Sequence, residues 1–362
     1  MFRGPAGVVA DTSSNLFVWD GGNRLVRKIT PSGFVSTFAG GGTNALPGYG
    51  TNVMLPFMPY TSMAIDHSNT VWIANTWAGE PGFLLRVGND GSVSSNYCSA
   101  LSQSTRSSIA GICVDSQNNI YLSSGRSGQI YRYYPTNGAM LLFASFTNQG
   151  ANLLTADASG NIYTYCAGNY TYTSSIICKI DQNQNVTVLW TGSSNSYLTA
   201  DGVGTNAGFS DIPLAMCNDG SGNIIFACVL SIRKLNVATS EVTTIAGSFT
   251  SQGYVDGTNY LARFGWAEGV CMSQGRIFVA DGNNQCIREI YLNPAGSNIL
   301  SASICAVVSI TGVVGRLYQI ESSTDLNTWN PETTIILTSS PFLWIDQNGL
   351  GQKKFYRAVL LP

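Results

Sequence analysis

The sequence predicts an all-β fold: a six-bladed β-propeller of four-stranded antiparallel blades, followed by a small C-terminal β-sandwich-like domain. Three observations carry this reading. The apolar runs are as long as strands and too short for helices. The breaks between them hold Asp, Asn, Gly, Ser or Pro, which turn the backbone by local hydrogen bonds or by tolerating positive φ. The run-and-break pattern is written six times, at a spacing that suits propeller blades.

The clearest copy covers residues 7–40, with apolar runs at 8–10, 16–19, 25–29 and 34–38. Four such runs joined by tight turns make an antiparallel meander. The anchor of each copy is an Asp, a polar turn, and a polar residue before an aliphatic one. It reads Asp11 with Asn15-Leu16, Asp66 with Thr70-Val71, Asp115 with Asn119-Ile120, Asp157 with Asn161-Ile162, and Asp219 with Asn223-Ile224. A sixth copy puts Ser273 in the acidic position and continues to Arg276-Ile277. The aliphatic positions 16, 71, 120, 162, 224 and 277 are separated by 55, 49, 42, 62 and 53 residues. Propeller blades repeat at roughly 40 to 50 residues.

A second column recurs downstream: LVRKI from Leu25, LLRV from Leu84, IYRY from Ile130, IICKI from Ile176, IRKL from Ile232 and CIREI from Cys286. With the first column in place, GVVADTSSNLFVWDGGNRLVRKI and VCMSQGRIFVADGNNQCIREI resemble NHL repeats. Those repeats carry an AVD, then GN with an aliphatic, then VAD, then IRK, in six-bladed propellers. The resemblance spans residues 4 to about 290 and implies a fold while saying little about chemistry.

Three stretches, before repeats two, five and six, connect blades with related text: Gly48-Tyr49-Gly50-Thr51-Asn52, Asp201-Gly202-Val203-Gly204-Thr205-Asn206, and Asp256-Gly257-Thr258-Asn259. Each has an aromatic nearby, Phe57, Phe209 and Phe264. If these loops share one face of the ring, Tyr49, Asn52, Asn206 and Asn259 are candidates for a binding surface there. The competing reading is that the motif turns the chain while the aromatic plugs the gap between blades. A basic column in the third strands, Lys28, Arg86, Arg132, Lys179 and Lys234, adds Arg86 and Arg132 as candidates for drawing in an anionic ligand. Its neighbours Arg27 and Arg288 are expected to pair locally with Asp20 and Asp281. The aromatic residues of repeats two to four, Trp72, Trp77, Tyr121, Tyr131, Tyr133, Tyr134, Tyr163, Tyr165, Tyr170 and Tyr172, read mainly as inter-blade packing, with sugar or peptide binding as the alternative.

Nothing in the sequence assembles a reaction centre. The single histidine, His67, sits in a hairpin turn whose equivalents are Thr12, Ser116, Ala158 and Gly220. A multi-histidine metal site, of the kind that lyase and lactonase propellers similar to this one use, is excluded. The repeated acids fall at turns where an Asx hydrogen bond accounts for them. First-strand residues Val8, Ala64, Ile112 and Val270 predict an apolar channel, a poor setting for acid–base work. No cofactor and no metal is expected, and an enzyme is the least favoured reading.

Of 362 residues only 10% are charged, with a formal net charge of -2, so the surface is dressed in neutral polar side chains. That balance excludes the basic footprint a nucleic-acid partner needs. No apolar run reaches the roughly 18 residues of a membrane span. There is no signal-peptide pattern, and residues 1–5 resemble the end of a connector, which suggests a mature or truncated start. The expected location is extracellular or at the cell surface. Nine cysteines, an odd number, carry no CxxC; Cys113, Cys217 and Cys271 share one repeat position and read as small buried apolar residues. Asn169 and Asn185 begin glycosylation-type tripeptides.

The repeat ends near residue 293, and residues 294–362 read as five strands of a small domain resembling C-terminal modules of exported bacterial repeat proteins. Sheet six lacks a clear fourth strand, since Asn293-Pro294-Ala295-Gly296 intervenes. An open edge recruits strands. The functional expectation is therefore a non-catalytic propeller scaffold binding a protein or glycan on one face. The alternative is a subunit of a fibre or surface array that self-associates through blade six and the C-terminal domain.

Overall fold

The computed structural model describes residues 1–58, 61–75, 82–98, 109–125, 127–147, 149–168, 175–192, 199–209, 213–292, 306–338, 340, 342–346 and 355–361. Two compact units emerge, residues 1–302 and 303–362. The boundary expected at 293/294 lies outside the described residues.

In the first unit the opening meander folds as β1 (Pro5–Ala10), β2 (Leu16–Asp20), β3 (Leu25–Ile29) and β4 (Val35–Ala39), paired in that order. After a two-residue strand β5 (Gly48–Tyr49) the second sheet holds β6 (Thr61–Ile65), β7 (Val71–Asn75), β8 (Phe83–Val87) and β9 (Ser92–Tyr97). The third holds β10 (Gly111–Val114), β11 (Ile120–Ser123), β12 (Gln129–Tyr134) and β13 (Ala139–Ser145). The fourth holds β14 (Gln149–Ala156), β15 (Ile162–Gly168), β16 (Ile176–Ile180) and β17 (Val186–Thr191). A second short strand, β18 (Gly202–Val203), precedes the fifth sheet of β19 (Pro213–Asn218), β20 (Asn223–Cys228), β21 (Ser231–Asn236) and β22 (Glu241–Gly247). The sixth is β23 (Ala267–Ser273), β24 (Arg276–Asp281) and β25 (Cys286–Tyr291). Its fourth strand, expected after residue 292, falls outside the described residues.

The repeated Asp explains why every first hairpin turns alike. In Asp11, Asp66, Asp115, Asp157 and Asp219, Oδ1 accepts the N–H groups two and four residues on, at 2.7–3.0 Å. A carboxylate satisfying two turn amides replaces the water those groups would otherwise need. The sixth copy needs no acid because its turn is shorter: Ser273 pairs with Arg276, and Gln274 and Gly275 both take positive φ, as a tight primed turn requires.

First strands pack against one another in a closed series, β1 on β6, β6 on β10, β10 on β14, β14 on β19, β19 on β23, and β23 back on β1. Each junction has its own buried cluster. That between sheets one and six is Val8, Leu16, Val18, Cys271 and Ala280, and that between sheets one and two centres on Phe17, Trp19, Val71 and Ile73. Trp72, Tyr121, Tyr133, Tyr163 and Tyr165 are all buried in these junctions, while Trp77, Tyr170 and Tyr172 lie outside the described residues. The series closes on glycine: a Cβ on Gly269 would stand 2.9 Å from Gly7 Cα. This is an all-β, propeller-type architecture.

The second unit holds a two-stranded sheet of β26 (Ala306–Ile310) and β29 (Phe342–Asp346), and a three-stranded sheet in the order β28 (Asn330–Ile336), β27 (Leu317–Ser323), β30 (Phe355–Leu360). Ile310, Tyr318, Ile320 and Leu337 form its small buried cluster. No disulfide joins the cysteines of the described residues. Among those residues no helix is long and apolar enough to cross a membrane.

Candidate functional site in a groove between the third and fourth sheets

The connectors do something the sequence did not reveal. Gly48-Tyr49 pairs with Ser92-Val93, and Gly202-Val203 with Glu241-Val242, so each adds a fifth, outermost strand to the sheet that follows. Tyr49 therefore lies in the outermost strand of sheet two, while Asn52 and Asn206 lie in the short 3-10 turns that follow β5 and β18 and pack on β4 and β17. Gly50 ties sheets together, accepting from Gly40 N–H at 3.1 Å and donating to Gly91 at 2.8 Å. Asn259 opens a short 3-10 turn with φ 49° and keeps its side-chain Oδ1 buried without a partner. Phe264 is fully buried and Phe209 packs between Trp190 and Phe226, as gap-fillers should, whereas Phe57 is exposed.

The basic column also stays dispersed. Arg86 donates to Ser92 Oγ within its own sheet at 2.9 Å, and Lys28 sits over the Phe17 ring. Arg288 does bond Asp281, at 3.3 Å, but Asp20 is taken by Arg3 N–H and by Asn23 Nδ2 at 2.7 and 2.9 Å, and Arg27 bonds Thr37 Oγ1 instead. The expected Arg27–Asp20 pairing is thus replaced by two shorter-reach donors.

Arg132 is different because of where its strand leaves it. It lines a cavity of about 280 Å³ with Asn119, Tyr121, Tyr134, Phe143, Gln117 and, from the β16–β17 turn, Gln182 and Gln184. Its guanidinium bonds Asn119 Oδ1 and lies 5.2 Å from the Tyr134 ring centroid. Tyr121 and Phe143 meet edge to face with centroids 4.8 Å apart, forming a rigid wall. The carboxylate at the base, Asp115, is buried and spent: it accepts from Gln117 and Asn119 N–H, Asn119 Nδ2 and Tyr121 OH. Burial and then the Asp115 charge push the Tyr121 phenol up to about 12, so it remains a neutral donor. What faces a ligand is a set of amides, guanidinium donors and aromatic surfaces, with the acid withheld.

A second concavity follows the first strands. One part is small, about 40 Å³, and lined by Ala6, Gly7, Met63, Leu154, Met216 and Glu268 among others; another, of about 160 Å³, is lined by Val8, Ala64, Ile112, Cys113, Cys217 and Val270 among others. Glu268 qualifies the expected apolar lining. Burial, then the Asp281 charge, pushes its carboxyl up to about 7. The sequence signal was available in a single acid at the start of a first strand, where Ala6 and Leu214 occupy sheets one and five. His67 is exposed in its turn, its backbone N–H held by Asn118 Oδ1 at 2.8 Å. Among the described residues no three His, Cys, Asp or Glu side chains converge as metal ligands would.

Residues 264–290 match the model of the NHL repeat. The chain carries an NHL repeat. That repeat covers β23, β24 and most of β25, the part of the chain that holds Glu268, Asp281 and Arg288. No curated protein matches the chain in sequence. Solved structures do match in fold. A protein of unknown function from Bacteroides thetaiotaomicron is 18% identical with a TM-score of 0.59, over 80% of this chain and 69% of that one. An auxiliary nutrient binding protein from Bacteroides ovatus is 16% identical with a TM-score of 0.57 over the same shares. A gluconolactonase from Xanthomonas campestris is 12% identical with a TM-score of 0.52, over 81% of this chain and 87% of that one. At these identities the likeness concerns the fold, and both binding proteins and enzymes share it.

Proposed function

We propose that this NHL-repeat protein is a non-catalytic binding scaffold outside the cell or on its surface, holding a glycan in the groove between sheets three and four. The observation that carries this is the lining around Arg132. Sugar hydroxyls both donate and accept, and Gln117, Gln182, Gln184 and the guanidinium of Arg132 supply both roles beside the Tyr134 and Phe143 rings. An engaged Asp115 leaves no carboxylate for a cation. The nutrient binding protein among the fold neighbours is consistent with such a role, and so is a surface with few charges.

Titration calorimetry against a panel of neutral oligosaccharides tests the proposal. Saturable binding that Arg132→Ala and Tyr134→Ala each weaken supports it; a panel with no binder, or binding indifferent to both substitutions, rejects it. A protein ligand is the competing outcome, and it would appear as capture insensitive to any sugar. The assembly reading rested on the edge of sheet six, outside the described residues, and light scattering after size exclusion separates it from a monomeric scaffold. A lactone and ester screen addresses catalysis, for which Glu268 is the side chain to substitute.

A further inference from the structure

Within the groove one positive charge stands apart from its equivalents. Arg132 belongs to the basic column of the third strands, and its register can be compared with the other members. Lys28 pairs with Ser36 of the fourth strand, Arg86 with Ser94, Lys179 with Thr187 and Lys234 with Thr243. Arg132 pairs with Leu141, which is 59% exposed. Where its equivalents have a hydroxyl beside them, Arg132 has an apolar surface.

Its own turn offers no acid either. Arg86 lies near Asp90 and Lys179 near Asp181. Each carboxyl is held below the usual carboxylate range, first by a side-chain hydrogen bond, from Ser92 and from Asn185 respectively, and in part by the basic neighbour. The turn after β12 reads Pro135-Thr136-Asn137-Gly138. Two residues beyond the arginine stands Tyr134, and the guanidinium lies over its ring.

What Arg132 does have is a fixed mount. Asp115 Oδ2 accepts from Asn119 Nδ2 at 2.8 Å, and Oδ1 at the other end of that amide accepts from Arg132 Nη2. The amide is thereby held with its carbonyl toward the guanidinium. Among the described residues Nε and Nη1 of Arg132 make no hydrogen bond, and the side chain forms no ion pair. Asp115, the other charged residue of the lining, already accepts four hydrogen bonds. From sheet four, Gln182 is anchored by donating from Nε2 to Ser159 O at 2.7 Å. The groove thus presents a positioned cation with open donors between neutral amides and apolar surfaces.

We propose that the glycan held here is acidic, with a hexuronate carboxylate gripped by Arg132, an inference that rests on the glycan reading of the groove. A guanidinium fork matches a carboxylate in two parallel hydrogen bonds. Gln182 and Gln184 meet hydroxyls, while Leu141 and Tyr134 cover the C–H face of the sugar ring. The test is calorimetry on the full chain with paired probes: oligomers of galacturonate, glucuronate and mannuronate, each beside its neutral methyl ester. One pair is expected to bind in both forms, the acid about tenfold tighter, with the gap narrowing as salt is raised. Arg132→Gln should equalise acid and ester, whereas Arg132→Lys, which keeps the charge without the fork, should retain part of the preference. The native ratio and its salt dependence need no variant to fold. Equal binding of acid and ester by the native chain, or a preference that survives Arg132→Gln, overturns the acidic assignment and leaves the glycan reading standing. No binding of either form takes both down. A sulfated oligosaccharide that outbinds every uronate overturns the assignment too, by making sulfate the anion.

Discussion

The two concave regions of the first unit have opposite characters. Along the first strands the cavities, of about 40 and 160 Å³, are lined mainly by apolar side chains, and backbones approach so closely that Gly269 admits no Cβ beside Gly7. Between sheets three and four the groove is about 280 Å³ and is walled by side chains of third and fourth strands and by hairpin turns. The difference lies in what packs there. Six first strands around a common centre present mostly apolar side chains to it and offer a ligand few polar groups. Outer strands diverge, and long polar side chains fill the widening gap incompletely. The groove is lined by polar and aromatic side chains, and the centre by apolar ones.

Several substitutions would break or sharpen that contrast. The largest effect is expected from Gly269→Val at the crowded centre. Overpacking against backbone should cost about 3 kcal/mol, read by urea unfolding; a loss below about 0.5 kcal/mol would mean the first strands are free to move apart. Glu268 comes next. Its folded carboxyl is raised from 4.5 to about 7, so the native state holds a proton that the unfolded chain has released between those values. Stability should therefore fall as pH rises through that window, by about 2 kcal/mol after allowing for its partial exposure. Glu268→Gln should flatten the profile and leave the variant the more stable protein above neutrality. An unchanged slope would show that Glu268 is solvated.

At the groove the balance reverses. Arg132→Ala should lower glycan affinity about tenfold, since a charged donor to a ligand contributes roughly that much, while shifting the unfolding midpoint little. A large stability loss instead would identify Arg132 as structural and merge the two regions. The smallest effect is expected at a turn: Asp219→Ala leaves the Ser221 and Asn223 amides to water and should cost about 1 kcal/mol in unfolding.

Much of this was readable from the chain. The runs expected at 16–19 and 25–29 appear as Leu16–Asp20 and Leu25–Ile29, because alternating apolar residues and Asx turns are local signals. The Asp-to-turn bonds were legible for the same reason: partner and acceptor are two to four residues apart. Arg132 was singled out as one member of a column, but its distinction from Arg86 depends on Gln182 and Gln184 arriving from the next sheet. Nor could the column tell that Asp20 would be claimed by Arg3 and Asn23. Glu268 has no acidic counterpart at its register position in sheets one and five, where Ala6 and Leu214 stand, so the repeat does not flag it.

Composition, period and turn chemistry in the chain alone determined that strands form, that four fall in each of the first five meanders, and that first strands face one another. They determined too that the connectors before repeats two, five and six share a motif. Closure in three dimensions decided that this motif becomes a fifth strand on sheets two and five and that its aspartates cover Arg233 and Arg288. The reason is reach: hydrogen bonds over two to four residues are set by local backbone geometry, whereas Asp201 and Arg233 are 32 residues apart and meet only once a whole sheet has folded between them.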